Sequence, residues 1–269
     1  MSMKFVFICV NYHSREETLK YIQNVVLFYP QNEVRIIVVD NSKDEVDFFI
    51  IKQYIIENDL SDLVSVVKIE NKGYFDGLNN GINYAKNSVF KADYYIVGNN
   101  DITFEKDFLD QLNKINQESD VLILAPDIVT NDNSHENPHV ISRVSYIRRT
   151  MYSVYYSHYY VAKLITKFYS SERKFKPFDS ERKPIYMGIG ALYVLTPSFF
   201  KHFDNLWQKV FLYGEEAILA GQIKSVGGKI MYEPTLKCYH NESATTSKMN
   251  SRYKYEVIQK SYRIYKKYL

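Results

Sequence analysis

The sequence predicts an α/β fold with a mostly parallel central sheet flanked by helices. Three observations predict it. Strand-sized apolar runs such as FVFICV, RIIVVD and VLILAP recur through the first half. Helical patterns separate them, which is the alternation of βαβ units. Polar clusters stand at the strand ends, where open α/β sheets bind ligands.

In order, Lys4–Val10 is apolar and β-branched and reads as the first strand. Ser14 with Glu17 three residues on has capping-box spacing and opens a helix. Val34–Val39 is the second strand, and Ser42 with Glu45 repeats that spacing before a helix through about Ile56. Leu63–Ile69 is the third strand. A glycine-rich turn, Asn71–Gly77, leads into a helix ending near Asn87. Asp93–Val97 is the fourth strand; it stops at Gly98-Asn99-Asn100-Asp101, and a helix is expected from about Phe104. Val121–Ala125 is the fifth, and the crossovers should be right-handed.

The middle differs. A polar loop, NDNSHENPH, precedes an Arg-, Lys- and Tyr-rich stretch from Arg143 to Lys176 that looks helical and amphipathic. Globular signals then return. Gly190–Leu195 is a strand, Thr196-Pro197 has the form of a helix start, and Glu215–Val226 is a helix closed by Gly227-Gly228. Lys229–Tyr232 and Leu236–Tyr239 are short strands, and a basic, tyrosine-rich helix spans about Arg252–Leu269. The expected organisation is one domain over 1–269, with an excursion at about 134–183 and a C-terminal amphipathic helix at about 252–269.

Composition narrows the function classes. A chain of 269 residues, 46% hydrophobic, can bury a sizeable core. The net charge of +3 gives no reason to expect nucleic acid. The apolar runs are too short to span a bilayer, and the first residues lack a secretory pattern, so a cytoplasmic location is expected. Cys9 and Cys238 read as buried thiols, not a disulfide or a zinc site. The basic segments Arg143–Lys176 and Arg252–Leu269 suit an anionic membrane surface, and equally solvated faces or helices packed on a partner.

Several clusters carry oxygen and nitrogen groups suited to a polar ligand. The first turn, VNYHSREE, lacks the glycines of a dinucleotide fold or a P-loop. Asp40 suits hydrogen bonds from a ribose or base, and would equally serve as a helix cap. Gly73 and Gly77 let a backbone approach a ligand, and the next helix offers N–H groups to an anion. Asn99-Asn100-Asp101 offers a carboxylate and an amide to a hard cation completed by phosphate oxygens, or forms an Asx turn. Glu215 and Glu216 open a helix, where acids suit the macrodipole or take a proton from a hydroxyl. His240 ends a strand and is either a metal ligand or an ordinary histidine.

In order, these pieces resemble GT-A-fold glycosyltransferases of family two, especially bacterial rhamnosyltransferase-like enzymes of surface polysaccharide synthesis. The resemblance rests on Val10-Asn11-Tyr12, Val39-Asp40-Asn41-Ser42, Asn71-x-Gly73-Tyr74-x-x-Gly77-x-Asn79-x-Gly81, Asn99-Asn100-Asp101, Gly188-x-Gly190, Tyr213-Gly214-Glu215-Glu216 and His240-x-x-Ser243. It implies that Asn11 and Asp40 hold the nucleoside, with Tyr12 and Asn41 beside them. Asn71, Gly73, Tyr74, Asn79, Asn100, Gly190 and Glu215 would belong to the substrate site. Asp101 would bind Mg²⁺ or Mn²⁺, helped by Asn99 and His240, and Glu216 would be the catalytic base. A dTDP- or UDP-sugar would be the donor, and a glycan or lipid-linked glycan the acceptor, its sugar stacked on tyrosines and Trp207. Asn99 stands where the family has the first aspartate of D-x-D, and Glu216 where it has aspartate. The alternatives are a glycosyltransferase-like scaffold without activity and a sugar nucleotidyltransferase.

Overall fold

A strand covered on both faces must be apolar on both, and β1 (Phe5–Asn11) is buried along its whole length. Phe5, Phe7 and Cys9 point to one core layer, and Val6, Ile8 and Val10 to the other. The structure is a computed structural model describing residues 3–29, 33–116, 118–168, 175–241 and 251–269. After β1 come α1 (Arg15–Phe28), β2 (Val34–Asp40), α2 (Val46–Glu57), β3 (Val64–Lys68), α3 (Tyr74–Asn87), β4 (Tyr94–Asn99), β5 (Ile102–Phe104) and α4 (Phe108–Lys114). The chain continues through β6 (Val121–Thr130), α5 (Tyr146–Tyr155), α6 (Tyr159–Phe168), β7 (Lys183–Ile185), β8 (Leu192–Leu195), α7 (Glu215–Lys224), β9 (Lys229–His240) and α8 (Ser251–Tyr265).

The sheet order is β3-β2-β1-β4-β8-β6-β9-β5, with β7 also on β9. The first four strands are parallel, as are β6 and β9. β8 is antiparallel to both β4 and β6, and β5 and β7 are antiparallel to β9. The α/β fold is as expected, but the sheet is parallel in only part. An apolar run encodes burial and not direction, and β8 enters the sheet from the opposite end.

α1, α2 and α4 cover one face through residues such as Ile22, Val25, Ile51, Phe108 and Leu112. α3 and α7 cover the other through Leu78, Ile82, Leu219 and Ile223. α3 lies close on β1: a Cβ added at Gly81 would meet Ile8 at 2.3 Å, and one at Gly77 would meet Val10 at 2.8 Å. Each buried aliphatic or aromatic side chain stabilises by about 1.5–3 kcal/mol, so these layers dominate the energetics.

Several local expectations are corrected. Neither capping box forms: Ser14 and Ser42 are the expected caps, but their hydroxyls join a polar network at the strand ends. The helix expected from Phe104 starts at Phe108, because residues 102–104 pair with β9. Thr196 does not cap a helix; its hydroxyl donates to Val121 and Leu122 carbonyls, and only a single 3-10 turn, Phe199–Lys201, follows. The two late strands are one, β9, whose pairing with β6 shifts register between Pro126 and Asp127. Cys9 and Cys238 are buried and free.

α8 packs on its own chain. Tyr255, Tyr262 and Leu269 are buried, Tyr265 fills the space above Gly214, and Tyr268 that above Gly221. Among the described residues no helix is long and apolar enough to cross a membrane.

Candidate active site

Register brings the first polar residues together. Asn11 pairs with Asp40, and Val10 with Asn99, so three parallel strands end side by side. Asn11 is fully buried. Its amide donates to Asp40 Oδ1 at 2.7 Å and Asp47 Oδ2 at 3.1 Å, and its Oδ1 accepts from Thr18 Oγ1 at 2.8 Å. Asp40, also fully buried, accepts from Ser42 Oγ at 2.6 Å and Lys68 Nζ at 2.8 Å. Each carboxylate therefore has charged or multiple donors, which a buried charge requires. Arg15 closes the other side of Asp47 at 3.1 Å.

Above this network lies a cleft of about 1530 Å³. Tyr12, Asn41, Asn71, Gly73 and Tyr74 line one end; Asn99, Asn100, Asp101 and His240 line another part, with Gly190, Glu215 and Glu216 beside them. Asn11, Asp40 and Asn79 do not line it. The first two form the layer beneath. Asn79 exchanges two hydrogen bonds of 2.9 Å with the Leu206 backbone, so it pins a loop outside the cleft. Trp207 is also outside, under Lys209 at 3.8 Å from its ring.

The glycine turn works differently from its sequence expectation. Gly73 has φ +120°, and a Cβ there would lie 2.5 Å from the Phe211 carbonyl oxygen. That carbonyl accepts from Tyr74 N at 3.1 Å, so it occupies an N–H expected to face an anion. The Asn71 side chain accepts from Gly73 N at 3.2 Å and from Asn41 Nδ2 at 3.3 Å, which ties β2 to the start of α3.

Asp101 and His240 meet because β5 turns back onto the end of β9. Asn241 N donates to Asp101 O at 3.0 Å, His240 Nε2 lies 3.3 Å from Asp101 Oδ1, and Asn99 Nδ2 lies 3.4 Å from the same nitrogen. The other imidazole nitrogen, Nδ1, is 2.8 Å from Glu136 Oε2. Burial opposes charge on this imidazole, but the bonds to Asp101 and Glu136 outweigh it and raise its pKa to about 10. Asn100 is bound differently, donating to Ser14 Oγ and Thr18 Oγ1 at 2.8 and 2.7 Å, so it joins β4 to α1. Among the described residues no group of three or more His, Cys, Asp or Glu forms a closed metal cage. Asp101 offers the cleft a carboxylate beside the Asn99 amide, and the His240 imidazole, protonated at neutral pH, could add a ring nitrogen only by giving up its Nε2 proton. Ser243, the last residue of the expected histidine motif, lies outside the described residues.

The second chemical cluster starts α7. Gly214, at φ +91°, turns the chain into the helix. Glu215 is buried, and burial first, then the neighbouring Glu216 charge, raises its pKa to about 8. Glu216 is half-buried and is also raised by burial, against backbone N–H groups of Gly190 and its own residue. A side chain at Gly190 would meet Glu216 Oε1 at 2.7 Å, and the Gly190 carbonyl accepts from Tyr74 OH at 3.0 Å. Burial therefore raises both carboxyls, which suits a group that must take a proton from a hydroxyl.

Sequence reasoning missed two residues. Lys68 donates to Asp40 and to the Ser42 and Asp44 carbonyls and lines the cleft. Its signal was a cation ending the strand beside Asp40. Glu136 had no such signal: it sits in the polar loop, 104 residues from His240.

A mixed sheet, a cleft at the ends of its parallel strands, and two acidic clusters facing it define a GT-A glycosyltransferase fold. The chain belongs to glycosyl transferase family 2, whose pattern matches residues 6–188. Among solved structures, it is similar to S. aureus TarS residues 1–349 in complex with UDP-GlcNAc, with TM-score 0.59, 14% identity, 95% of this chain covered and 64% of that one. It is also similar to GalNAc-T7 with UDP, GalNAc and Mn²⁺, with TM-score 0.58, 14% identity, 89% of this chain and 44% of that one. The mannosyltransferase PcManGT from Pyrobaculum calidifontis, in complex with GDP-Man and Mn²⁺, gives TM-score 0.56, 14% identity, and 91% and 59% coverage. The chain thus spans 44% to 64% of the length of these structures. No curated protein sequence matches it significantly.

Proposed function

We propose that the chain is a single catalytic unit that transfers a sugar from a dTDP- or UDP-sugar to a hydroxyl of a glycan or lipid-linked glycan, with inversion. The reading extends to a rhamnosyltransferase-like role in bacterial surface polysaccharide synthesis on the cytoplasmic side. The observation that carries it is one cleft joining the Asp101–His240 corner to the Glu215–Glu216 pair. The first suits a diphosphate with its cation; the second suits a hydroxyl that must lose a proton.

In this reading the nucleoside lies over Tyr12, Asn41 and Asn71, while Asn11 and Asp40 act from below by holding Ser42 and Lys68. Asp101 and Asn99 would be cation ligands, and His240 would join them through Nε2 as the cation displaces its proton, with Nδ1 held by Glu136. A bound Mg²⁺ or Mn²⁺ would neutralise charge developing on the leaving diphosphate. Glu216 accepts the acceptor hydroxyl proton as its oxygen bonds to the anomeric carbon and the bond to the diphosphate oxygen breaks. Burial keeps that carboxylate basic, and Glu215, raised to about 8 by burial and by the Glu216 charge, holds its own proton beside it. Gly190 leaves room for Glu216, and Tyr74 fixes Gly190. Holding both substrates in one cleft supplies orientation.

The test is release of nucleotide from dTDP- and UDP-sugars, with Mn²⁺ and a membrane-lipid extract as acceptor source. Wild type should turn over one donor, and Glu216→Gln should lose about 10²-fold or more in rate. Equal rates for the two proteins would remove Glu216 from the chemistry. Binding of donor without any turnover would favour a scaffold.

A further inference from the structure

The hairpin of α5 and α6 carries an apolar surface that stands exposed among the described residues. On α5, Ile147, Met151 and Val154 stand at helical spacing and are 74%, 64% and 51% exposed. On α6, Tyr160, Leu164 and Phe168 repeat the pattern at 64%, 58% and 73%. Ala162 is the one buried residue of the two helices, so these stripes do not serve the core.

The charge pattern is equally one-sided. Residues 137–171 contain Arg143, Arg148, Arg149, Lys163 and Lys167 and no aspartate or glutamate. Outward apolar stripes flanked only by cations are the composition of a helix lying in a membrane interface. A second copy of the same face is a poor partner, because it would set cations against cations as the apolar stripes met.

The hairpin is anchored by its other side. Tyr255 OH donates to Tyr155 O at 3.1 Å, Gln259 Nε2 to Tyr156 O at 2.9 Å, and Ser153 Oγ lies 2.7 Å from Tyr262 OH. All three partners are on α8, which also reaches the cleft: Ser261 Oγ donates to Leu212 O at 2.7 Å, and Tyr253 lines it. The basic C-terminal helix is therefore the bracket between cleft and hairpin.

We infer that the α5–α6 hairpin seats the protein on an anionic lipid bilayer through its apolar stripes and its cations. The surface binding needs no catalysis. Only its use, presenting a lipid-borne acceptor to the cleft, rests on the proposed function.

The experiment is co-sedimentation of the full chain, without nucleotide, with phosphatidylglycerol or phosphatidylcholine vesicles at low and high salt. Wild type should bind the anionic vesicles, and added salt should weaken binding. Lys163→Gln with Lys167→Gln should weaken it about 25-fold, from about fivefold per cation at the surface. Met151→Gln with Leu164→Gln should abolish most of it. All four positions are exposed, and unchanged melting temperatures and nucleotide titrations would confirm intact variants. No binding of wild type at low salt overturns the inference, as does wild-type binding by both variants. So does a wild-type dimer in sedimentation velocity that the same substitutions split while vesicles stay unbound. Failure of nucleotide binding in every protein, wild type included, would count against the proposed function and leave the vesicle result standing.

Discussion

Glu215→Gln should stabilise the chain in alkaline solution and leave it nearly unchanged in acid. Glu215 has an ordinary value of 4.5 and is raised to about 8 in the folded chain, first by burial and then by Glu216. Between those two values the folded state keeps a proton that the unfolded state releases. Stability is therefore whole below the unfolded value and falls as pH rises toward 8. At about 1.4 kcal/mol for each tenfold change in proton affinity, the full loss is at most about 5 kcal/mol. Glu216 shares the interaction, so glutamine should recover roughly 2–4 kcal/mol above pH 8. For a chain of this size that is roughly 5–15 °C in melting temperature. Thermal unfolding of wild type and variant at pH 5 and pH 9 measures it. The difference should open with pH; a difference that stays constant would refute a buried, proton-holding Glu215.

Three further outcomes follow from the same geometry. Asn11→Leu removes the donor shared by the buried Asp40 and Asp47 carboxylates and should cost about 3–5 kcal/mol in urea unfolding; under about 1 kcal/mol would mean that Lys68, Ser42 and Arg15 suffice. Gly73→Ala sets a methyl 2.5 Å from the Phe211 carbonyl at a positive φ. It should lower stability by about 1–3 kcal/mol and weaken nucleotide binding, read by melting and titration, whereas an unchanged protein would mean that the Phe211 segment moves freely. Glu136→Gln should weaken Mn²⁺ binding in the presence of nucleotide about 10- to 100-fold, measured by the paramagnetic resonance of free Mn²⁺, without changing metal-free nucleotide binding. Equal Mn²⁺ affinity would show that Glu136 does not orient His240.

The parallel half of the fold was legible because burial on both faces forces continuous apolar runs, as in β1. What the runs did not encode was direction, so β8 was not read as antiparallel. β5 was missed because three residues, Ile102–Phe104, are too few for a periodicity. That omission mattered, since β5 is what carries Asp101 to His240. Ser14, Ser42 and Thr196 show a second limit: a hydroxyl at cap spacing is equally a hydroxyl for a polar network, and tertiary partners decided. The cleft residues at strand ends were legible from position alone. Asn79 was not, because helical phase sends it to the Leu206 backbone. Glu136 was invisible, because no local pattern shows that its loop folds back to donate Glu136 N to Ile128 O beside the strand that ends in His240.

The proposed transfer requires Asp101 and its neighbours to bind a nucleotide diphosphate together with a divalent cation. Calorimetric titration of wild type and Asp101→Ala with UDP and with dTDP, each with and without Mn²⁺, tests it most directly. One nucleotide should bind wild type, Mn²⁺ should tighten it, and Asp101→Ala should lose the Mn²⁺ enhancement. Binding that ignores both Mn²⁺ and the substitution would contradict it.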